Sequence, residues 1–413
     1  MSKVVIIGSG MGGLMAANRL AKNGHKVTLF ESHSMPGGYT AGFRRKGYYF
    51  ESGTLSFESS RVVFKAMKEL GLRDKVPFVR QHTRLKTKDF DCDLYTIGDL
   101  KKGMYGAYPQ QKENLDRYWA EADRMCKLFA AMRGPKSILD RILFPLTVRN
   151  FIRMFRQYGK MTITEFTAQY FDEGTPLYLL LKDFGYPDML ASVAGGAYAS
   201  FIEDYWTVKT GMQSWADVLA DNFKQLGGDL RLKTRVDKIV TKNGCAAGVV
   251  CAGKEYAADY VLSACDYKKT FLNMLDDRKL LPDGFCEELE KAAVSEGFFT
   301  VYLGLNIAPD KMRAHMRLPH VMYFDLRPDR DIYDSADEKF FEKTSVWLYS
   351  KSMLHEGNAP AGKSSLMVQT PVPYHWMNNW GGGDRAVYKK LKEKAMRALI
   401  QKAAVIIPDI DKQ

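Results

Sequence analysis

The chain has 413 residues, 46% of them hydrophobic, 12% aromatic and 26% charged, which provides for two or three domain cores and excludes a small module, a long disordered chain or a repeat array. Six cysteines without a Cys-x-x-Cys pair argue against a disulfide framework. Seven histidines that never fall at ligand spacing beside acids or thiols, with His315 and His320 on a mixed surface stretch, argue against a metal. The net charge of +12 leaves nucleic acid, an anionic membrane or a plain basic surface to be decided by where the charge sits.

Met1-Ser2-Lys3 leads straight into an apolar run, Val4-Val5-Ile6-Ile7, with no secretory leader. Together with unpaired thiols, this reads as a cytoplasmic protein. The β-branched run predicts a strand buried on both faces of a parallel sheet. Gly8, Gly10 and Gly13 follow at GxGxxG spacing: the first for a tight turn, the second for backbone approach to a pyrophosphate, the third for close helix-to-strand packing. Met11 and Gly12 then open a helix whose free N–H groups point at an anion. Val27 to Phe30 predicts a second strand ending at Glu31, where a carboxylate accepts the ribose hydroxyls of an adenosine and disfavours a 2′-phosphate. Residues 3 to 38 therefore read as a dinucleotide-binding βαβ unit.

Further on come Gly37-Gly38, Gly42-Phe43, and the aromatic strand Tyr48-Tyr49-Phe50 leading to Glu51-Ser52-Gly53. Between Arg124 and Lys160 stand nine basic residues (Arg124, Lys127, Arg133, Lys136, Arg141, Arg149, Arg153, Arg156, Lys160) against the single acid Asp140, two thirds of the net charge in 37 residues. Pro145 is placed to open a helix with Val148, Phe151, Ile152 and Phe155 on one face and Arg149, Arg153 and Arg156 beside it. Two readings stand: a helix lying in an anionic headgroup layer, or a core helix with solvated arginines. The interleaved aliphatics and the lack of a nucleic-acid motif argue against nucleic acid. No run of 18 apolar residues predicts a transmembrane helix.

Gly211-Met212 precedes a helix over about Ser214 to Leu226, and strands follow at Leu230–Leu232, Val236–Val240, Ala247–Val250 and Tyr260–Ala264. Phe298–Leu305, His320–Phe324, Ser345–Tyr349 and Ser365–Gln369 read as antiparallel strands, and Asp384 to Val405 as a lysine-rich amphipathic helix.

On the glycine loop, Glu31, Gly37-Gly38, Glu51-Ser52-Gly53, the 211–266 segment and the Ala359-Pro360-Ala361-Gly362-Lys363 turn, the sequence resembles the flavoprotein superfamily of amine oxidases and carotenoid desaturases. Within it, the sequence is most similar to the phytoene desaturase, carotenoid isomerase and retinol saturase group. Tyr39 replaces that group's usual arginine or serine, and Glu51 its usual aspartate. The resemblance implies FAD rather than NAD, with Gly37 and Gly38 close to the flavin nucleotide, Val236 bonding the adenine through its backbone, and Ser263 and Ala264 near the nucleotide. It implies an α/β fold: a discontinuous Rossmann-like FAD-binding domain (1–80 and 206–275), a helical, membrane-associating part of a substrate domain (81–205), and an α+β substrate part on an antiparallel sheet (276–413). It also implies a final segment after Ile407-Pro408, and a sequence stopping at Gln413 reads as a truncated product or fragment. The expected activity is FAD-dependent oxidoreduction of a carbon–carbon bond in a lipophilic polyene such as a carotenoid or retinoid, whether by desaturation, saturation or isomerisation. Amine oxidation and a catalytically silent lipid-binding remnant are the alternatives. The resemblance favours peripheral binding to an anionic membrane. No catalytic acid, base or nucleophile and no oligomeric state are assigned.

Overall fold

The computed structural model describes residues 1–132, 137–184 and 188–412, so Arg133 and Lys136 of the basic stretch lie outside it. The chain divides into two compact units, one of Met1–Val79, Trp206–Ser295 and Leu354–Ser365, the other of Arg80–Tyr205, Glu296–Met353 and Leu366–Gln413.

The first unit is built on a four-stranded parallel sheet in the order Tyr260–Ser263, Lys3–Ile7, Lys26–Phe30, Asp229–Arg231. Val4 to Ile7 are buried, as a strand covered on both faces requires. The helices Met11–Lys22 and Met212–Gln225 share one core, Leu14, Ala17 and Ala21 meeting Trp215, Ala216, Leu219 and Phe223. They are also joined by a buried amide: Asn18 Nδ2 donates to the carbonyls of Leu14 (2.8 Å) and Leu219 (2.9 Å), and Asn222 Nδ2 donates to Asn18 Oδ1 at 2.8 Å. An antiparallel sheet of Lys238–Lys242, Cys245–Cys251 and Lys254–Ala257 packs Ile239 and Val249 into the cluster that holds Val5, Ile7 and Phe30.

This unit takes in two segments expected in the second. Residues 276–295 join it because Thr241 donates its N–H and hydroxyl to Asp276 and because Lys268 Nζ donates to the carbonyls of Glu290 and Ala292. Residues 354–365 join it because Arg44 donates to the Gly357 carbonyl at 3.0 Å, and Pro360 lies where a Cβ on Gly47 would meet it at 3.1 Å.

The second unit carries a six-stranded sheet in the order Gly297–Leu305, Ser364–Val372, Val346–Tyr349, His320–Tyr323, Thr83–Lys86, Asp91–Leu94. It is mixed rather than purely antiparallel, since Thr83–Lys86 lies parallel to His320–Tyr323. The period-2 alternation sends Leu85, Met322 and Trp347 to the side covered by helices of the 97–203 region, and Val321, Leu348 and Val368 to the side covered by the helix Arg385–Ala403. His320, expected on a surface stretch, is instead buried on the first of these faces, its Nδ1 2.9 Å from Thr83 Oγ1; its strand lies between two others, where a surface reading fails.

The helix in the basic stretch runs Ile138–Tyr158, so Pro145 lies inside it rather than in its first turn. Pro145 is exposed, and the one backbone bond it forfeits falls on the solvent side. The expected apolar face also divides: Val148 and Phe151 are half-buried, Phe151 against Phe129, while Ile152 and Phe155 face outward, and the fully enclosed side chains are Met154 and Tyr158, outside that face. Among the described residues no helix is long and apolar enough to cross a membrane.

Candidate functional site

The first unit places Gly8, Gly10, Gly12 and Gly13 at the carboxyl end of the strand Lys3–Ile7, the end at which open α/β sheets bind ligands. Gly8 takes φ +95°, and its N–H donates to the Phe30 carbonyl at 2.8 Å, joining the ends of the first two strands. A Cβ on Gly13 would stand 2.0 Å from the Gly8 carbonyl oxygen, so the opening helix packs against the turn at a distance only glycine permits. Around Gly10 and Gly12 a Cβ would meet nothing within 4 Å. The first turn of Met11–Lys22 carries no acid, and its N-cap residue, Gly10, has no side chain to bond the leading N–H groups. An uncapped N-terminus beside open glycines is the geometry a phosphate needs.

The second glycine pair lies against the first. Gly37 N–H donates to the Ser9 carbonyl at 2.8 Å, Gly10 and Gly37 form a parallel bridge, and a Cβ on Gly38 would come within 3.1 Å of Gly10 Cα. Gly37 (φ +125°) and Gly38 (φ +56°) both adopt left-handed backbone, and Thr40 Oγ1 donates to the Gly37 carbonyl at 2.8 Å.

Glu31, nearly buried, ends the second strand. Its Oε2 accepts the N–H and the hydroxyl of Ser9, each at 2.8 Å, and its Oε1 accepts the His33 N–H at 2.9 Å and the Ser32 hydroxyl at 3.3 Å. Burial pushes its pKa up, but the bonds from His33, Ser9 and Ser32 outweigh this and hold it below the ordinary carboxylate value. The carboxylate is thus ionised and fixed. The Ser9 and Ser32 hydroxyls can rotate away, which returns acceptor capacity to a ligand hydroxyl.

The remaining expected residues converge on the same strand ends. Thr234 N–H donates to the Glu31 carbonyl at 2.7 Å, which brings the turn leading to buried Val236 beside Glu31. Ser263 pairs with Ile7, and Ala264 N–H donates to the Ile7 carbonyl at 2.8 Å. Ser263 Oγ lies 2.7 Å from Thr270 Oγ1 and 3.1 Å from Cys265 Sγ. Gly8, Gly10, Met11, Gly12, Gly13, Glu31, Gly37, Gly38, Val236, Ser263 and Ala264 therefore lie around the ends of these strands, and an adenosine diphosphate group fits the uncapped N–H groups, the open Gly10 and Gly12 and the fixed Glu31 carboxylate. Among the described residues no group of three His, Cys, Asp or Glu side chains is placed to hold a metal.

Three parts of the surroundings are not visible in the glycine pattern. Ser9, fully buried, fixes Glu31, and nothing marks it except its place inside the GxGxxG loop. Glu51, also fully buried, accepts the Met212 N–H (3.0 Å to Oε1, 3.2 Å to Oε2) and the Tyr49 hydroxyl (2.7 Å), capping the second helix. Gln213 holds both ends of the Gly37-Gly38 segment, accepting from Gly42 N–H at 3.1 Å and donating to the Pro36 carbonyl at 3.0 Å.

A family described as flavin containing amine oxidoreductase matches residues 11–371. A 4,4′-diapophytoene desaturase (4,4′-diapolycopene-forming) of Methylomonas sp. is 24% identical, the match covering 96% of this chain and 78% of the relative. A phytoene desaturase (neurosporene-forming) of Rhodobacter capsulatus is 27% identical across 97% of this chain and 78% of the relative. The crystal structure of an oxidoreductase from Methanosarcina mazei shares the fold with a TM-score of 0.64 at 17% identity, over 99% of this chain and 85% of that one.

Proposed function

We propose, for a chain that belongs to the flavin-containing amine oxidoreductase family, a FAD-dependent oxidoreductase acting on a carbon–carbon bond of a lipophilic polyene. The observation that carries the substrate class is the likeness over nearly the whole chain to two desaturases whose names specify polyene substrates. FAD, when bound, supplies a hydride acceptor suited to a bond beside a conjugated system.

In this reading the N–H groups of Met11, Gly12 and Gly13 hold the diphosphate, with Gly8 and Gly10 letting the backbone close on it. Glu31 accepts a ribose hydroxyl, and its fixed negative charge repels a 2′-phosphate. The backbone of Val236 bonds the adenine, while Gly37, Gly38, Ser263 and Ala264 flank the nucleotide. The protein's part is to orient and to exclude water; no side chain is assigned a proton transfer. The partners are a lipophilic substrate and, at the periphery, an anionic membrane surface in the cytoplasm from which such a substrate is drawn.

The test is anaerobic. Purified protein carrying flavin is mixed with a C40 polyene in detergent and, separately, with a polyamine, and the flavin absorbance near 450 nm is followed. Bleaching by the polyene alone, or re-oxidation of pre-reduced flavin by it, is the expected result. Bleaching by the amine with peroxide on readmission of air, and no response to the polyene, overturns the reading in favour of amine oxidation. A protein that retains no FAD overturns it altogether.

A further inference from the structure

One end of the helix-facing side of the six-stranded sheet is polar. Thr83, His320 and Tyr349 stand opposite one another on three adjacent strands, with Thr83 Oγ1 2.9 Å from His320 Nδ1 and the His320 and Tyr349 ring centres 6.1 Å apart. The next row on the same face, Leu85, Met322 and Trp347, is apolar. Gln81 precedes Thr83 by two residues, so the same alternation sets it at the polar end. Its backbone N–H donates at 2.9 Å to the carbonyl of Tyr205, whose ring lies 6.2 Å from that of His320. Gln81 is 2% exposed, yet among the described residues neither its Oε1 nor its Nε2 has a hydrogen-bond partner. A buried amide is normally bonded, and one with neither atom bonded is a standing cost of the fold. All of these residues belong to the second unit. Phe201 and Tyr205, which stand beside His320, are only half-buried, so this end is not sealed.

We propose that this polar end receives a hydroxyl group at one terminus of the substrate, with Gln81 as the residue that selects for it, so that the molecule acted on is a polyene alcohol rather than a hydrocarbon. The inference rests on the polyene reading above and narrows it. The chemistry of the groups points to a hydroxyl. A hydroxyl both donates and accepts, and a carboxamide answers both, Oε1 taking a hydrogen bond and Nε2 giving one. Thr83 is neutral, and burial pushes the His320 pKa down to about 3, so the imidazole beside it is uncharged at neutral pH. Lys351, two residues past Tyr349, is enclosed as well, and its Nζ donates to the Tyr349 hydroxyl at 3.1 Å. A carboxylate is therefore the competing head group. A hydrocarbon would leave the Gln81 carboxamide unbonded, whereas a hydroxyl relieves it, and a site built this way discriminates against the analogue that lacks the group.

The experiment uses the full chain carrying FAD and measures binding rather than turnover. Tryptophan fluorescence is titrated, without oxygen and in one detergent, with a polyene alcohol, with the hydrocarbon of the same skeleton and with the corresponding carboxylic acid. The wild type is expected to bind the alcohol about tenfold tighter than the hydrocarbon. Gln81→Met, of similar shape, brings the affinity for the alcohol down to that for the hydrocarbon, leaves the hydrocarbon unaffected and raises the thermal midpoint, because the unbonded amide is gone. A glutamine with a structural role alone would not move the ratio of the two affinities. Equal binding of alcohol and hydrocarbon by the wild type overturns the inference and leaves the polyene reading standing. So does an alcohol preference that survives in Gln81→Met, the result expected if the carboxamide holds only a buried water. A lowered midpoint in Gln81→Met overturns it too, since the carboxamide is then bonded within the fold, and tighter binding of the acid replaces the hydroxyl by a carboxylate. A protein that binds none of the three overturns the polyene reading, and this inference with it.

Discussion

Ser9 donates its backbone N–H and its hydroxyl to the same oxygen of Glu31, each at 2.8 Å. The carboxylate that ends the second strand is thereby fixed by the glycine loop that follows the first. Replacing Glu31 by alanine removes the proposed ribose acceptor and leaves the buried Ser9 N–H without this partner, at about 1–3 kcal/mol. We expect Glu31→Ala to weaken FAD binding at least tenfold by fluorescence titration and to lower thermal stability. Ser9→Ala keeps the backbone bond and should cost affinity only a few-fold. Unchanged FAD affinity in Glu31→Ala would remove the ribose contact from the assignment.

Gly10, Gly12 and Gly13 of the loop are expected to respond differently to substitution. In Gly13→Ala the new Cβ would sit 2.0 Å from a backbone oxygen that has no room to retreat, so the fold itself loses stability whether or not FAD is present. In Gly10→Ala and Gly12→Ala the Cβ meets nothing within 4 Å, so the denaturation midpoint of the flavin-free protein should stay near that of the wild type. If the diphosphate lies over Gly10, that variant retains its fold and loses FAD affinity by more than tenfold. Paired urea melts and FAD titrations separate the cases; a Gly10→Ala protein with wild-type affinity would move the diphosphate elsewhere.

The parts of this architecture that can be read from the chain are those in which local pattern and tertiary role coincide. Val4 to Ile7 are continuous because both faces of the strand are covered, and the glycines follow because the turn leaves no room for a Cβ, so strand, turn and helix are all visible in one short window. The aromatic strands of the second unit are visible for the same reason. What is not visible depends on partners distant in sequence. Thr83 pairs with His320 across 237 positions, and neither run announces that the pairing is parallel or that the histidine is enclosed. Arg44 reaches the Gly357 carbonyl, 313 positions away, and assigns the 354–365 turn to the first unit. The inward and outward faces of Ile138–Tyr158 are both apolar, so periodicity alone places Phe151 and Phe155 on one side, whereas the core takes only the first.

His320 gives the protein a defined acid sensitivity. Burial of the imidazole, bonded to Thr83, lowers its pKa from 6.5 to about 3. The folded pKa is below the unfolded one, so the unfolded chain binds one proton more between those values, and stability present above pH 6.5 is lost as the pH falls towards 3. Between pH 7 and pH 5, above the carboxylate range, this single group should cost about 2 kcal/mol. Urea denaturation of His320→Gln at the two pH values should show a loss smaller than that of the wild type by about this amount. Parallel losses in the two proteins would mean that the imidazole titrates normally in the folded state.

Glu51 illustrates a buried carboxyl group whose stabilising role depends on its bonds. It lies fully buried at the N-terminus of Met212–Gln225, where the helix dipole favours a negative group, and accepts from the Met212 N–H and the Tyr49 hydroxyl. Tyr49 is itself enclosed, since a Cβ on Gly42 or Gly211 would come within 2.1 or 2.3 Å of its ring and hydroxyl. Tyr49→Phe removes the short bond to Glu51 and the longer one accepted from the Gln213 N–H (3.3 Å), and should cost about 1–2 kcal/mol. Glu51→Gln keeps an acceptor for Met212 and should cost a similar amount, whereas Glu51→Ala leaves a buried N–H and a buried hydroxyl without their carboxylate, at about 2–4 kcal/mol. Because the two residues share one bond, the double variant Tyr49→Phe/Glu51→Ala should be more stable than the sum of the single losses requires, by about 1 kcal/mol. Chemical denaturation of the four proteins without FAD measures this. Strict additivity would show that the hydroxyl and the carboxylate contribute independently, and that the cap alone carries the effect.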